Sequence, residues 1–200
     1  MTKSTGERVA YFNGSIVPES QVLLSFRDRG FVFGDAVFDT ARTFGGRVFK
    51  LQQHVDRLFR SLRYTQIDPG LSPVEIKAIA EEVLEHNVPL LGEDEDYWVY
   101  MRISRGVWGV HGEEPARSGA TVIVECTPLP LKDRAKCFRD GIDVIVPAIR
   151  RVPEECISPR VKSHNYLNLI LGDMAAKAMN PDAWAVLADT RGNLAEGFGC

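Results

Sequence analysis

The sequence predicts an α/β protein, built as α/β or α+β layers and divided into two domains. Three observations carry that expectation. Strand-like and helix-like segments alternate within each half of the chain. Hydrophobic spacing switches between period two and period 3.6. Thr127-Pro128-Leu129-Pro130-Leu131, with two prolines in five residues, interrupts regular structure between the halves. The predicted division is an N-terminal domain over 1–126, a linker over 127–135 and the first part of a C-terminal domain over 136–200.

The elements follow in order. Val9 to Asn13 reads as a strand, and Asn13-Gly14 as a hairpin turn into Ser15-Ile16-Val17. Phe33-Gly34-Asp35 reads as a bend before a strand over Ala36 to Phe44. Gly45-Gly46 then turns the chain into Arg47-Val48-Phe49. Leu51, Val55, Leu58, Phe59 and Leu62 fall at helical spacing. A second helix is marked by the capping box Ser72-x-x-Glu75 and by Pro73 at its first position, with Ile76, Ile79, Ala80, Val83 and Leu84 facing inward. Its expected end is near Asn87, before Pro89. Tyr97 to Ser104 and Ala120 to Cys126 read as core strands around a loop over 106–119. Beyond the prolines come a strand at Ile142 to Val146, a helix from Asn165 to Met179 and a strand at Ala183 to Ala188. A turn through Asp189 to Asn193 leads into a partner strand that begins at Leu194.

Bulk properties exclude several classes. Two hundred residues, 44% hydrophobic, can bury a sizeable core. The formal net charge is -3 with both signs interspersed, and no basic cluster argues for nucleic acid. No apolar run reaches the roughly 18 residues that span a bilayer. The start lacks the apolar core of a signal peptide. Cys126, Cys137, Cys156 and Cys200 are scattered, so neither a disulfide framework nor a metal site is expected, and a reducing cytoplasm fits.

Lys162 stands out among seven lysines. It follows an extended stretch containing Pro159 and precedes a long apolar helix, while Glu196-Gly197 follows a hairpin signal. A lysine that condenses with an aldehyde cofactor must lose its proton to attack and then shuttle one. The cofactor ring needs a carboxylate beside its pyridine nitrogen, and its phosphate needs an arginine or backbone amides. Lys162, Glu196 and an N-terminal arginine could supply all three. Spacing alone does not establish this, because a lysine before a helix is by default a solvated residue and Glu-Gly after a hairpin is by default a turn.

Five segments in order carry a resemblance: Tyr11-Phe12-Asn13-Gly14, the run from Asp28 to Thr40, His54-Val55-Asp56-Arg57-Leu58, the run from Lys162 to Asn168, and Gly192-Asn193-Leu194-Ala195-Glu196-Gly197. With them the chain resembles the class IV, fold-type IV pyridoxal phosphate aminotransferases. That group includes branched-chain and D-amino acid aminotransferases, (R)-selective amine transaminases and aminodeoxychorismate lyase. The resemblance implies a two-domain fold, pyridoxal 5'-phosphate as cofactor, and an amino donor with a 2-oxo acid acceptor as substrates. It also implies a homodimer. Lys162 matches the Schiff-base lysine and Arg57 the phosphate arginine. Tyr166 matches the tyrosine near the cofactor's phenolic oxygen, and Glu196 the carboxylate at the pyridine nitrogen. Phe33 and Phe38 match pocket-shaping positions. His54, one helical turn from Arg57, reads as structural, and His164 reads as a variable position of the lysine motif.

The substrate signals are mixed. Tyr100-x-Arg102 resembles the triplet that holds the substrate carboxylate in branched-chain enzymes. Ser104-Arg105-Gly106 looks more like the D-amino acid and (R)-amine groups. Val110 and Gly112 stand where the D-amino acid enzymes carry an arginine and a histidine. His111 stands where an (R)-amine transaminase would carry its arginine. A charge-assisted carboxylate contact is worth roughly 1.5–3 kcal/mol, so one arginine shifts preference by one or two decades. The favoured expectation is a branched-chain-like aminotransferase. An (R)-amine or D-amino acid transaminase comes second and the lyase third. A relative that kept the fold but lost catalysis is the rival class, and Lys162, Arg57 and Glu196 together argue against it. Class IV chains run well beyond the glutamate, so the C-terminal domain is expected to be incomplete and these 200 residues by themselves to bind cofactor weakly.

Overall fold

The computed structural model describes residues 6–110 and 119–198. Two compact units are present. The first comprises Met1–Leu131 together with Val161–His164, and the second comprises Lys132–Arg160 with Asn165–Cys200.

The first unit is built on a six-stranded sheet made of β1 (Val9–Phe12), β2 (Ser15–Pro18), β3 (Ala36–Phe44), β4 (Arg47–Val48), β5 (Tyr97–Ser104) and β6 (Thr121–Pro128). The order is β2-β1-β6-β5-β3-β4, antiparallel throughout. Period two does what the sequence requires of it. Val37, Ala41, Val99, Met101, Ile103, Val122, Val124 and Cys126 form one apolar face. It packs against Leu51, Val55, Leu58 and Leu62 of α2 (Leu51–Thr65) and Ile76, Ala80 and Val83 of α3 (Pro73–Asn87). The capping box of α3 is formed, with Ser72 Oγ accepting from Glu75 N–H and Glu75 accepting from Ser72 N–H. The alternate residues Phe38, Thr40, Tyr100, Arg102 and Glu125 are half-buried on the other face.

Several features of the chain depart from the expected elements. A short helix, α1 (Arg29–Phe33), occupies the stretch before the bend, and it starts because Asp28 caps it through Gly30 N–H. Strand β6 continues through Pro128, and α4 (Leu131–Asp140) begins three residues later, within the segment expected to be a linker. Helix α4 buries none of its residues, although Leu131, Ala135 and Phe138 fall on one face of it; Pro128 and Pro130 just before it favour reading the stretch as a linker. Residues 161–164 join the first unit although the sequence places them far beyond the prolines. The cause is main-chain pairing, described below.

The Ser104-Arg105-Gly106 triplet is a set of locks. Ser104 and Thr121 hydroxyls both donate to the fully buried Asp28 carboxylate. Arg105 clamps Asp35 and also donates to the carbonyls of Thr65 and Gln66, which closes the C-terminal end of α2. Gly106 has φ +95°, and a Cβ there would lie 1.9 Å from the carbonyl oxygen of Gly119.

The second unit holds a three-stranded sheet, β7 (Val144–Ile145), β8 (Trp184–Ala188) and β9 (Leu194–Gly197), in the order β7-β8-β9. β7 and β8 run parallel, β8 and β9 antiparallel. Helix α5 (Leu167–Met179) lays Leu169 and Ala176 against Ala185 and Leu187, whereas Leu167, Met174 and Met179 are exposed. Tyr166, expected inside this helix, is its N-cap residue. No helix among the described residues is long and apolar enough to cross a membrane.

Gly106→Ala is expected to cost more than about 2 kcal/mol in urea unfolding, because it combines a disfavoured φ with a backbone clash. A loss under half that size would show that the two glycines do not approach as closely as described.

Candidate active site

The edge of β3 organises the first unit's polar residues. Phe38 N–H donates to the carbonyl of Lys162 at 2.9 Å, and His164 N–H donates to the carbonyl of Ala36 at 2.9 Å. Val37 and Ser163 form an antiparallel bridge between them. Lys162 N–H in turn donates to Ser61 Oγ of α2 at 3.2 Å. The short segment is thus a strand in miniature, and its two-residue period turns Lys162 and His164 to the same side. The Lys162 Nζ lies 4.5 Å from the centre of the Phe38 ring. His164 meets the same ring edge-on at 5.3 Å.

Phe38 pairs in register with Arg102, and Thr40 with Tyr100. The Arg102 guanidinium lies over the Tyr100 ring at 4.2 Å and donates to Glu125 at 3.1 Å. Glu125 also accepts from the Thr127 hydroxyl. Lys162, Phe38, His164, Arg102 and Tyr100 therefore belong to one group. Burial, reinforced by the positive Arg102, pushes the His164 imidazole down to about 4, so it is neutral near pH 7. Its Nε2 is buried with no hydrogen-bond partner among the described residues.

Arg57 arrives from α2. His54, Arg57 and Ser61 form a polar stripe at spacings of three and four residues, flanking the helix's apolar face. The guanidinium donates through Nε and Nη2 to the two oxygens of Asp39, at 2.6 and 2.8 Å. Its side chain is 45% exposed while that of Asp39 is 0% exposed. Phe33 ends α1, packs against Trp108 at 5.1 Å and carries the Arg29 guanidinium over its ring. His111 lies outside the described residues.

In the second unit Glu196 accepts from Arg151 Nε at 2.9 Å, and Arg151 also donates to Asn168 Oδ1. Asn168 ties this arginine to α5, because its own side chain binds Val152 N–H and the carbonyl of Arg150. Tyr166 stacks edge-on with Phe198 at 6.1 Å.

Sequence reasoning missed Asp39, Ser61, Glu125 and Arg151. Asp39 carried a usable signal, since an acid on the apolar parity of a strand between Val37 and Ala41 is anomalous. Glu125 and Arg151 carried none, because their partners are brought to them only by register and chain reversal.

Residues 36–200 match the family described as amino-transferase class IV. The chain belongs to the class IV aminotransferases. It is 34% identical over 189 residues to a protein of Methanocaldococcus jannaschii named, provisionally, a branched-chain-amino-acid aminotransferase, covering 94% of this chain and 62% of that one. It is 30% identical over 196 residues to the aminodeoxychorismate lyase of Bacillus subtilis, covering 94% and 61%. The fold superposes on the T.th. branched-chain amino acid aminotransferase, solved with pyridoxamine 5'-phosphate. There the TM-score is 0.81 at 23% identity, covering 98% of this chain and 63% of that one. The chain thus spans less than two thirds of the relatives it matches.

The depressed His164 pKa has a consequence for stability. As pH falls from 6.5, the unfolded chain takes the proton first, so stability drops progressively towards pH 4. The expected loss across that window is on the order of 2–3 kcal/mol. Urea unfolding of wild type and His164→Leu between pH 4.5 and 7 checks it. The variant should lack this part of the slope, and parallel curves would rule the effect out.

Proposed function

We propose that the full-length protein is a pyridoxal phosphate-dependent aminotransferase moving an amino group between a branched-chain-like amino acid and a 2-oxo acid. The observation that carries this reading is Lys162. In a class IV chain its main chain is locked between β3 and α2, while its Nζ stands on the half-buried face beside Phe38. The donor set fits the cofactor chemically. Lys162 offers a primary amine to an aldehyde, and Arg57 offers a clamped, half-exposed guanidinium to a phosphate. Glu196 offers an oriented carboxylate to a ring nitrogen, and Tyr166 a hydroxyl to the ring. When bound, the cofactor's protonated ring withdraws electrons from the substrate's α-carbon. Lys162 then serves as the base that takes the α-proton and returns it.

Arg102 and Tyr100 support a carboxylate substrate. Arg102 already shares its guanidinium with Glu125, so an incoming carboxylate has to share or displace that partner. This sharing weakens the trap and favours substrates that add apolar contact, as a branched side chain against Phe38 would. The likeness to the lyase over 94% of the chain supports aminodeoxychorismate cleavage as the second reading. We further propose a homodimer. Leu23, Phe26, Phe31 and Trp108 are each more than half exposed, an apolar area that a partner surface would cover. Among the described residues Cys126, Cys137 and Cys156 are free thiols, which supports a reducing compartment.

Full-length protein with added cofactor should give a visible band and a borohydride-stable adduct on the Lys162 peptide. Lys162→Ala should lack both and lose at least about 10³-fold in activity. An adduct elsewhere would refute the lysine assignment. L-leucine, D-alanine, (R)-1-phenylethylamine and aminodeoxychorismate, each mixed separately with holoenzyme, decide the class, and a silent L-leucine with a fast alternative overturns the preferred one. Phe26→Asp with Phe31→Asp should shift the light-scattering mass from dimer to monomer.

A further inference from the structure

Asp39 is an acid where strand parity calls for an apolar residue. Its neighbours on that face, Val37 and Ala41, are core residues, and its own side chain is fully buried. A buried carboxylate is costly unless it is paired and hydrogen-bonded. Here both oxygens are occupied. Arg57 donates to each, His54 Nδ1 lies 2.8 Å from Oδ1, and Thr40 N–H donates to Oδ1 at 2.7 Å. Burial alone would raise the carboxyl pKa, yet the bonds from Arg57 and then His54 outweigh it and hold the group below its ordinary range.

Cohesion between α2 and β3 does not require this ion pair. Apolar residues of similar volume hold such layers together as well or better. What a bidentate clamp adds is direction. It fixes the plane of a guanidinium that is otherwise carried on a long, flexible, 45% exposed side chain. An arginine held in one orientation before an anion arrives loses less rotamer freedom on binding it.

We propose that Asp39 is the positioning residue for phosphate recognition, presetting the Arg57 guanidinium, with His54 steadying the carboxylate from its second side. This rests on the reading of Arg57 as the phosphate ligand given under Proposed function. Asp39 touches neither cofactor nor substrate in this scheme, and its effect passes through Arg57 alone.

The test uses the full-length protein and two probes, pyridoxal 5'-phosphate and unphosphorylated pyridoxal. Their dissociation constants are measured for wild type, Arg57→Gln, Asp39→Asn and the double variant. Arg57→Gln should reduce the preference for the phosphorylated probe by about ten- to a hundredfold, the range of one charge-assisted contact. Asp39→Asn should lose about tenfold of the same preference, with pyridoxal binding within about twofold of wild type. The double variant should match Arg57→Gln, because Asp39 has nothing left to act through. If Asp39→Asn weakens both probes equally, Asp39 only holds the fold and the proposal is overturned. If Arg57→Gln leaves the preference intact, the phosphate reading of Arg57 fails first and carries this proposal with it. Should Asp39→Asn not fold, His54→Phe decides. His54 is 25% exposed, and losing its bond to Asp39 should reduce the preference by about two- to fivefold. An unchanged preference in His54→Phe would equally overturn the proposal.

Discussion

The edge of β3 is the constraint on which the candidate site depends. β5 occupies one side of this strand, and β4 covers only the far end of the other, at Thr43 and Phe44. Residues 161–164 cover the near end, through Phe38 N–H to the carbonyl of Lys162 and His164 N–H to the carbonyl of Ala36. An open sheet edge is a liability unless covered, so this pairing serves the sheet. It also fixes where the lysine stands. Two further bonds to the same region, Ser61 to Lys162 and Asp39 to Arg57, come from α2 and the neighbouring residue of β3. Lysine and arginine are thus registered against one another by a strand edge and a helix flank, both rigid elements.

Charge is managed by pairing on either face of that strand. Behind it, Asp39 is saturated by Arg57, His54 and a main-chain amide. In front of it, Arg102 is balanced by Glu125 and lies over Tyr100. His164 completes the front as a neutral ring, because a second cation beside Arg102 in a partly desolvated place is unfavourable. The unit therefore presents two arginines whose guanidinium groups are already oriented by acids before any ligand binds. Electrostatic preorganisation of this kind is the commonest large contribution to catalysis of polar reactions.

The Arg102 guanidinium is shared between Glu125 and the face of the Tyr100 ring. The triplet that resembled the D-amino acid and (R)-amine groups, Ser104-Arg105-Gly106, is engaged in holding the loop. Ser104 binds Asp28, Arg105 binds Asp35 and the end of α2, and Gly106 permits a close backbone crossing. Those three residues follow from local architecture, so their likeness to one subgroup says little about specificity. Tyr100 and Arg102 instead stand beside Phe38, on the face that carries the Lys162 amine.

The sequence by itself determined the elements whose energetics are local or periodic. The capping box at Ser72, the apolar stripe of α2 and the alternation in β3, β5 and β6 were all legible, because each is set by neighbours a few residues away. Ordered motifs also identified the family. Helix α1 was hidden by its five-residue length, and α4 by Pro128 and Pro130 immediately before it. Tertiary structure alone decided the long-range matters. Residues 161–164 cross from the second half to pair with β3, and no local pattern encodes that partner. Asp39 reads as an anomaly until Arg57 and His54 meet it, and Glu125 as a surface acid until register sets it beside Arg102. Hydrogen-bond satisfaction at a buried strand edge, and charge pairing in a desolvated place, act between residues remote in sequence. They become visible only once the chain is folded.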